Sequence, residues 1–336
     1  MKKIYLLGNE LNPTPLRVFI KSLKQAPYMA SNYLYDMRRY LKHSSTLGYG
    51  SKNKLRARII AIYHNVEKGL SLPAPRPGFG ESNLSYLLSA IDLYLSRYGV
   101  DEFLQAPASA LSAYVDFNRA AGNENFPERE RILKTIDRIG VASPECGGTV
   151  LLTKAQIRAA TQNVGAEFFT SRCSVRQYSE EDVSDEDIVE AVRIAQKSPS
   201  VCNRQTCKVY VIHTKEQIKR VLDFHGGTRG FGEHVNKLLV VTNKLSSFWG
   251  ASERNQCWID GGLFAMSLLL GLHSRGLGAC SLNWSKDSSV DREFRKIVEI
   301  GDDEAVIMLV AVGHIPESLK VALSHRMPIE DAVCFC

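Results

Sequence analysis

The 336-residue sequence has no uninterrupted apolar run of the roughly 18 residues that a membrane-spanning helix needs. Its longest apolar stretches, 266–272 and 305–312, end close to His273 and His314. The apolar stretch after the lysines at positions 2 and 3 is too short for a secretion signal. We therefore predict a cytoplasmic protein with no integral membrane association.

Cysteine is sparse, with eight residues and no pair at the C-x-x-C spacing of zinc or redox sites. We expect free thiols and no metal site. The dinucleotide-binding fingerprint, the Walker loop, the nucleophile elbow and the H-E-x-x-H motif are also missing. The function therefore has to be sought in less familiar patterns.

Acidic residues are scarce in the first 80 positions, which hold 14 Lys and Arg against three Asp and Glu, a balance of +11. Because the whole chain carries +6, the remaining residues carry −5. A basic segment attracts nucleic acids, anionic membrane surfaces or phosphorylated small molecules. The alternative is a solvated helix surface, and charge alone does not decide between them.

Strand-like patterns are missing from the first 140 residues, where apolar residues recur at helical spacing, as at Leu84, Leu87, Leu88 and Ile91. Residues that interrupt helices divide this region into four or five helices: Pro27, Gly69, 73–80, Gly99 and Gly122. Proline and paired glycines at 144–148 predict a linker. We therefore predict a helical N-terminal region at 1–150 and a second domain at 151–336.

The second domain alternates strand and helix patterns. Strands are predicted at 208–213, 238–242 and 305–313, and the last is apolar enough to be a central strand covered on both faces. A helix is predicted at 184–197, with Ser184 as its capping residue. The run at 257–275 is apolar almost all round, which predicts a buried helix. The pattern indicates an α/β or α+β domain.

One segment of this domain carries alternating polar residues. In an extended chain, Arg172, Ser174 and Arg176 point to the same side. Two guanidinium groups and a hydroxyl suit a phosphate, which guanidinium binds bidentately. The solvent-exposed face of an edge strand would show the same alternation of polar residues.

A second polar segment, 198–205, precedes the strand predicted at 208. Its Asn203 and Gln205 amides each offer a donor and an acceptor, so they can read the edge of a heteroaromatic ring. Loops at strand ends often carry such groups. An Asx-type turn without a ligand is the alternative.

Together, the R-x-S-x-R motif at 172–176 and the S-P-S-x-x-N-x-Q motif at 198–205 resemble those of the nitroreductase-like FMN-dependent oxidoreductases, in the same order and spacing. The resemblance continues through the apolar run, G-L-G-A-C-S-L-N-W at 276–284, V-G-H at 312–314 and S-H-R-M-P at 324–328, and covers about 166–336. It implies an α+β fold with a central mixed or antiparallel β-sheet flanked by helices, preceded here by an all-α N-terminal region.

The resemblance also implies a site for FMN. It assigns the FMN phosphate to Arg172, Ser174, Arg176 and Arg326. The isoalloxazine ring would be lined by Pro199, Ser200, Asn203 and Gln205, and the backbone near the flavin N5 would come from Ser281, Leu282 and Asn283. The family is typically a homodimer with the flavin between subunits, which implies that the helix at 257–275 lies at that interface. Thr206 and Cys207 stand where the family often has Pro-Trp, so the wall behind the ring differs.

Two further segments are candidates for substrate contact. The glycine-rich 225–232 corresponds to a family region that covers the flavin, which makes Arg229 and Phe231 candidates, although a surface loop has the same composition. His64 and Lys68 lie one helical turn apart before a proline-rich loop that carries Arg76. The loop is predicted to lie over the flavin pocket, where these three residues would bind an anionic substrate. Simple capping of a helix C-terminus by cations is the alternative.

The sequence thus predicts an FMN-dependent oxidoreductase that works in two steps, with NADH or NADPH as donor and an unidentified, anionic substrate as acceptor. No side chain stands out as an acid or base, and no nucleic-acid partner is expected. Two alternatives stay open. The first is a flavin- or phosphosugar-binding protein without turnover, and the second is a docking module formed by the basic N-terminal region.

Overall fold

A computed structural model describes residues 15–140, 146–228, 230–322, 324 and 326–336. Within the described residues, five helices precede the predicted linker: α1 Pro15–His43, α2 Lys52–Leu70, α3 Glu81–Tyr98, α4 Gln105–Ala120 and α5 Arg129–Ile139. The remainder follows in the order α6 Lys154–Thr161, α7 Ala166–Ser171, α8 Asp185–Ala195, β1 Cys207–Ile212, α9 Lys215–His225, β2 Lys237–Lys244, α10 Gln256–Ser274, β3 Leu277–Asn283, α11 Ser288–Val298 and β4 Glu304–His314. The helical N-terminal region and the three predicted strands are confirmed.

The four strands form one antiparallel sheet in the order β1-β2-β4-β3. The central position predicted for 305–313 is confirmed, since β4 lies between β2 and β3 and its Leu309 and Val310 are fully buried. Helices α8 and α10 pack on one face of the sheet, and α9 and α11 pack on the other. The predicted α+β class with a central antiparallel sheet flanked by helices is confirmed.

The helices α2 to α5 surround a hydrophobic core of their own, which includes the fully buried Tyr94 and Tyr114. The break predicted at Gly99 is confirmed, whereas α2 runs past Gly69 to Leu70 and α4 ends at Ala120, two residues before Gly122. Gly99 follows α3 and adopts φ +70°, a left-handed conformation that favours glycine, and its N–H donates to the carbonyl of Leu95. A short segment, 44–51, separates α1 from α2.

The break predicted at Pro27 is wrong, because α1 runs through this residue. A proline inside a helix removes a hydrogen bond and costs about 3 kcal/mol. Contacts to the second domain hold the helix beyond the proline. The Tyr28 hydroxyl donates to Asp287 at 2.8 Å, and the Tyr35 hydroxyl donates to Asp291 at 2.8 Å. Tertiary contact therefore overrides the local preference.

Helix α1 binds the second domain with its polar face and presents apolar side chains to solvent. The guanidinium of Arg39 donates to the carbonyls of Asp302 and Glu304, at the start of β4. Apolar side chains that are 39–66% exposed form two groups with spacings of three and four residues: Leu16, Ile20 and Leu23, and then Leu34, Met37 and Leu41. The single chain thus leaves these apolar side chains of α1 uncovered.

The prediction of a buried helix at 257–275 is correct for one face of α10 and wrong for the other in the single chain. One face of α10 packs on the sheet through Phe264 and Leu268, but Ile259, Leu263 and Met266 are 42–53% exposed. No other described element of the single chain covers this stripe. Among the described residues, 251–274 is the one helix long and apolar enough to cross a membrane, and half of it is buried, as in the core helices of soluble proteins.

Candidate functional site

The predicted phosphate-binding segment runs along the outer edge of β3. Ser174 forms a parallel bridge with Ala279, and the N–H of Val175 donates to the Ala279 carbonyl at 3.0 Å. Val175 is 3% exposed and packs in the core, whereas Arg176 is exposed. Arg172 and Ser174 are half-buried, so the side chains of all three predicted phosphate-binding residues remain partly accessible.

The basic residues of this segment have no acidic partner among the described residues: neither Arg172 nor Arg176 forms an ion pair there. Arg326 is exposed in the C-terminal segment and donates to the carbonyl of Ser324. This segment returns to the same edge of the sheet, because the N–H of Lys320 donates to the Gln177 side chain at 2.8 Å. Arginine side chains that have no acidic partner among the described residues are suitable donors for a phosphate.

Beyond Ala279, the outer edge of β3 has no strand beside it in the described part of the chain. The Ala279 carbonyl points away from β4, so the alternation of strand backbone places the N–H groups of Ser281 and Asn283 on the same side. The side chains of both residues are exposed, while Leu282 is 6% exposed. Two backbone donors therefore have no partner among the described residues at this end of the sheet.

His225 contacts the backbone at the Asn283 end of β3. The imidazole Nε2 of His225 lies 2.9 Å from the Asn283 carbonyl, and the Lys286 ammonium donates to the His225 carbonyl at 2.8 Å. The ring of His225 also lies against Trp284, with 6.2 Å between centroids. These contacts fix the backbone that carries the two free donors.

The second motif forms a tightly wound loop between α8 and β1. Cys202, Asn203 and Gln205 have φ of +49°, +54° and +52°, a region that costs free energy for residues other than glycine. The Ser200 hydroxyl accepts from the Gln205 N–H at 3.1 Å, and the Gln205 amide donates to the Asn203 carbonyl at 3.2 Å. Pro199 and Gln205 are exposed on this loop. Such backbone strain clusters at binding and catalytic sites.

Two buried charged residues, neither of which was predicted from the sequence, hold this loop. The Asp260 carboxylate of α10 accepts from the Val201 N–H at 3.1 Å, and burial raises its pKa. The Arg204 guanidinium donates twice to Glu253, at 2.9 and 2.6 Å, and lies 3.8 Å from the centroid of the Trp249 ring. A lone acid in the apolar run of α10 was a signal that could have identified Asp260.

Thr206 and Cys207, where the chain departs from the resemblance, face inward. Thr206 is 8% exposed and donates to the side chain of Asn243. Burial raises the pKa of the Cys207 thiol to about 12, and its Sγ lies 3.8 Å from the Asp260 carbonyl. A protonated thiol is a weak nucleophile, so Cys207 serves packing rather than covalent chemistry.

The two halves of the candidate site lie at opposite edges of the sheet. The ring-reading loop, residues 198–205, precedes β1. The phosphate segment, residues 172–176, and the N–H groups of Ser281 and Asn283 lie at β3. Two strands separate these edges, which places them about 14 Å apart at the usual strand spacing. The structure records no contact between the two groups of described residues.

The other candidates for substrate contact do not gather at this site. His64 lies 3.0 Å from Glu67, whose other oxygen accepts from the Gly148 N–H, so this pair ties the linker to α2. Lys68 and Arg76 are exposed and have no side-chain partner among the described residues. Phe231 is 8% exposed in the hydrophobic core beside α9, a position that favours packing over substrate contact. Arg229 lies outside the described residues.

Comparison with known sequences identifies this half of the chain. Residues 169–228 and 225–314 match the sequence model of the Nitroreductase family. Residues 169–314 are similar to the nitroreductase family. The match contains both motifs, β1 to β4 and the free edge of β3. The comparison with curated proteins finds no match.

Several solved structures are similar to part of the chain. An FMN-dependent nitroreductase from Clostridium difficile is 21% identical, covers 50% of this chain and 96% of its own, and has a TM-score of 0.42. A protein from Desulfovibrio desulfuricans solved with FMN is 20% identical, with 50% and 93% covered and a TM-score of 0.43. A nitroreductase-family protein from Streptococcus pneumoniae is 19% identical, with 51% and 98% covered and a TM-score of 0.44. About half of this chain has no counterpart in them.

Proposed function

We propose that the protein is an FMN-dependent oxidoreductase that takes electrons from NADH or NADPH and delivers them to a second substrate. The observation that carries this proposal is the edge of β3 in the part of the chain that is similar to the nitroreductase family. Unpaired arginines flank a hydroxyl beside two free backbone N–H groups there. A phosphate needs the first set of donors, and the polar edge of a flavin ring needs the second.

These residues fit FMN through the chemistry of their donors. Arg172, Ser174, Arg176 and Arg326 would bind the phosphate, and the backbone of 281–283 would face the N5 edge of the ring. Bound FMN supplies a centre that accepts a hydride and releases two electrons. The protein binds the cofactor, orients it and excludes water. We infer no catalytic acid or base among the side chains.

Pro199, Ser200, Asn203 and Gln205 would line the ring of an FMN held by a second copy of the chain. Their loop lies at the opposite sheet edge from the phosphate segment, so one chain does not bring the two halves together. A second copy related by two-fold symmetry supplies the missing half at each site. The exposed stripe of α10 is suited to that interface.

Exposed side chains of α1 near α10 favour the same homodimer. A cavity of about 410 Å³ is lined by Met29 and Tyr33 of α1 together with Trp258 of α10, so the two helices adjoin at these residues. An interface between copies that covers the α10 stripe would therefore extend onto α1 at Met29 and Tyr33. Large exposed apolar patches of this kind mark protein–protein contacts.

The reaction is a two-electron transfer. The nicotinamide donor loses a hydride, which carries two electrons and one proton, and the acceptor gains two electrons and two protons, with the second proton from water. We propose that residues 151–336 hold the cofactor and that residues 1–150 shape the site for the acceptor. The alternatives are a flavin- or phosphosugar-binding protein without turnover and an N-terminal docking module.

The absorbance spectrum of the purified protein tests this function. We expect the two visible bands of an oxidised flavin, release of FMN rather than FAD on heating, and bleaching by NADH or NADPH in the absence of oxygen. A flavin that neither nucleotide bleaches would favour the binding protein without turnover. No flavin after reconstitution with FMN would overturn the proposal.

A further inference from the structure

A cavity of about 700 Å³ lies between the N-terminal helices and the start of β1. It is bounded by α2 and α4 on one side and by 204–208 on the other, and Gln205 lines it. Ligand pockets commonly have volumes of 300–1,000 Å³ and occur where two units of a fold meet. The cavity therefore has the size and place of a small-molecule site next to the ring-reading loop.

The two walls of this cavity differ in character. The wall from the helical region has an apolar part formed by Ala57, Ile60, Tyr63, Phe103 and Ala106, beside the polar residues Asn53, Arg56, Glu102 and Gln105. The opposite wall is polar and basic and includes Arg204, Gln205, Thr206, Lys208, Lys244 and Ser247. A ligand that fits both walls has a flat apolar body and a polar group on one side.

Most charges around the cavity are already paired. Arg56 lies 2.6 Å from Asp101, and Arg204 lies 2.6 Å from Glu253. Lys208 lies 3.8 Å from Glu304. Glu102 also lines the cavity, but it is exposed to solvent, which weakens its field.

Two donors in the polar wall have no partner among the described residues. Lys244 is half-buried at the end of β2 and forms no ion pair or side-chain hydrogen bond there. The Nε of Arg204 also has no partner there, but the Arg204 side chain is 0% exposed and therefore does not reach a ligand in the cavity. A buried donor without a partner costs free energy unless a ligand or water satisfies it.

We propose that this cavity binds the acceptor substrate, and that the acceptor combines a flat apolar ring system with an anionic group. Lys244 binds the anion, while the ring lies against Ile60 and Tyr63. This assignment rests on the proposed function, because Gln205 then places the bound ring beside the flavin. The specificity lies in Lys244 rather than in Lys68 and Arg76, which do not line the cavity.

Binding of a redox-inactive probe tests the cavity without turnover. Calorimetry on the full chain would compare naphthalene-2-sulfonate with the uncharged 2-naphthol. In Lys244→Met we expect the Kd of the sulfonate to rise about tenfold, the loss of one charge-assisted hydrogen bond in a partly solvated site, while the Kd of 2-naphthol is unchanged. Lys244→Arg keeps the charge and should restore most of the affinity. Lys296→Met, which removes an exposed charge from α11, should bind both probes like the parent.

Turnover provides the second readout. We expect kcat/KM for 1,4-naphthoquinone-2-sulfonate to fall about tenfold in Lys244→Met, with a change of less than twofold for 2-methyl-1,4-naphthoquinone. Equal losses for both quinones, or unchanged sulfonate binding in Lys244→Met, would overturn the proposal. The proposal would also be overturned if the Lys68→Ala/Arg76→Ala variant, rather than Lys244→Met, lost the preference for the sulfonated quinone. A protein that binds no flavin would refute the proposed function, while calorimetry on it would still test the cavity.

Discussion

At the scale of single residues, the unpaired arginines at the β3 edge give the most direct test of cofactor binding. Arg172→Ala and Arg326→Ala should each weaken FMN binding roughly 10- to 150-fold, because a charge-assisted hydrogen bond contributes about 1.5–3 kcal/mol. Quenching of flavin fluorescence on titration of the FMN-free protein measures the Kd. Arg193→Ala, which removes an exposed charge from α8, is the matched control and should not change it. Unchanged Kd in both site variants would place the phosphate elsewhere.

Asp260 should act on FMN through the loop that it holds rather than by touching the cofactor. Asp260→Ala leaves the Val201 N–H and the Gln256 amide without their acceptor, which should lower the free energy of unfolding by about 1–3 kcal/mol. Denaturant unfolding measures this loss. Asp260→Asn keeps an oxygen for Val201 and should lose less.

The same variants separate a positioning role from simple stability. If the strained loop places the ring-lining residues, FMN affinity should fall in Asp260→Ala and recover in Asp260→Asn. An Asp260→Ala protein that is destabilised but binds FMN like the parent would show that the loop has no part in cofactor binding.

The sequence predicts some of these residues and not others, for a physical reason. The alternation of Arg172, Ser174 and Arg176 is a local sequence pattern, and the burial of Val175 between Ser174 and Arg176 agrees with it. The pairing of Arg204 with Glu253 joins residues 49 positions apart and leaves no periodic signal. The three residues with positive φ in the loop are not glycines, so composition does not reveal their backbone conformation.

At the scale of elements, the exposed stripe of α10 predicts how the protein assembles. Leu263→Asp together with Met266→Asp would bury two carboxylates in a homodimer, at a cost of several kcal/mol. We expect light scattering to show a dimer for the parent and a monomer for this variant. The monomer should also bind FMN more weakly, because each site lacks the partner's loop.

Val189→Asp on α8 is the control for the α10 variant. Val189 is 54% exposed outside the α10 stripe, so a charge there should leave both the dimer and FMN binding intact. The circular dichroism of all three proteins should agree, since each changed side chain is already exposed in one chain. A parent that is monomeric, or an α10 variant that remains a dimer, would contradict the assignment of this face.

Elements with strong local patterns were predictable and those shaped by tertiary contact were not. Ser184 accepts from the Asp187 N–H at 3.1 Å and begins α8 as predicted. Strand β3 gave no strand signal, because Gly278, Ala279 and Ser281 have little preference for extended structure. The sheet forms it by hydrogen bonding to β4. The apolar run of α10 predicted the helix but not its uncovered face, since a sequence does not state how many chains share a core.

At the scale of the whole molecule, three carboxylates join α1 to the second domain, and their pKa values are lowered. At Asp302, burial raises the pKa, but the hydrogen bonds of His43 and Lys42 outweigh it. At Asp291, burial again raises the pKa, but the hydrogen bond from Arg295 and its positive charge lower the pKa by more. At Asp287, the hydrogen bond of Ser289 lowers the pKa most, and the Tyr28 hydroxyl adds to it.

A carboxylate with a lowered pKa contributes stability above its unfolded value of about 3.9 and loses it as the pH falls through the folded pKa. We therefore expect α1 to detach progressively below about pH 4. Hydrogen exchange of 28–43, corrected for the intrinsic rate, should accelerate there before the core of α2 to α5 does. Asp302→Asn should show faster exchange at pH 7 and a smaller further change on acidification. Exchange at 28–43 that does not depend on pH would contradict this account.

The order of synthesis gives this connection between distant parts of the chain a further consequence. The Tyr28 hydroxyl and its acceptor Asp287 are 259 positions apart. At about 5–20 residues per second, a ribosome needs roughly 13–50 s to make the chain between them. The helices α2 to α5 find their partners within the next hundred or so residues, so their core closes first. Helix α1 is made before them and docks after them, and during that interval both of its faces are free to bind a chaperone or another nascent chain.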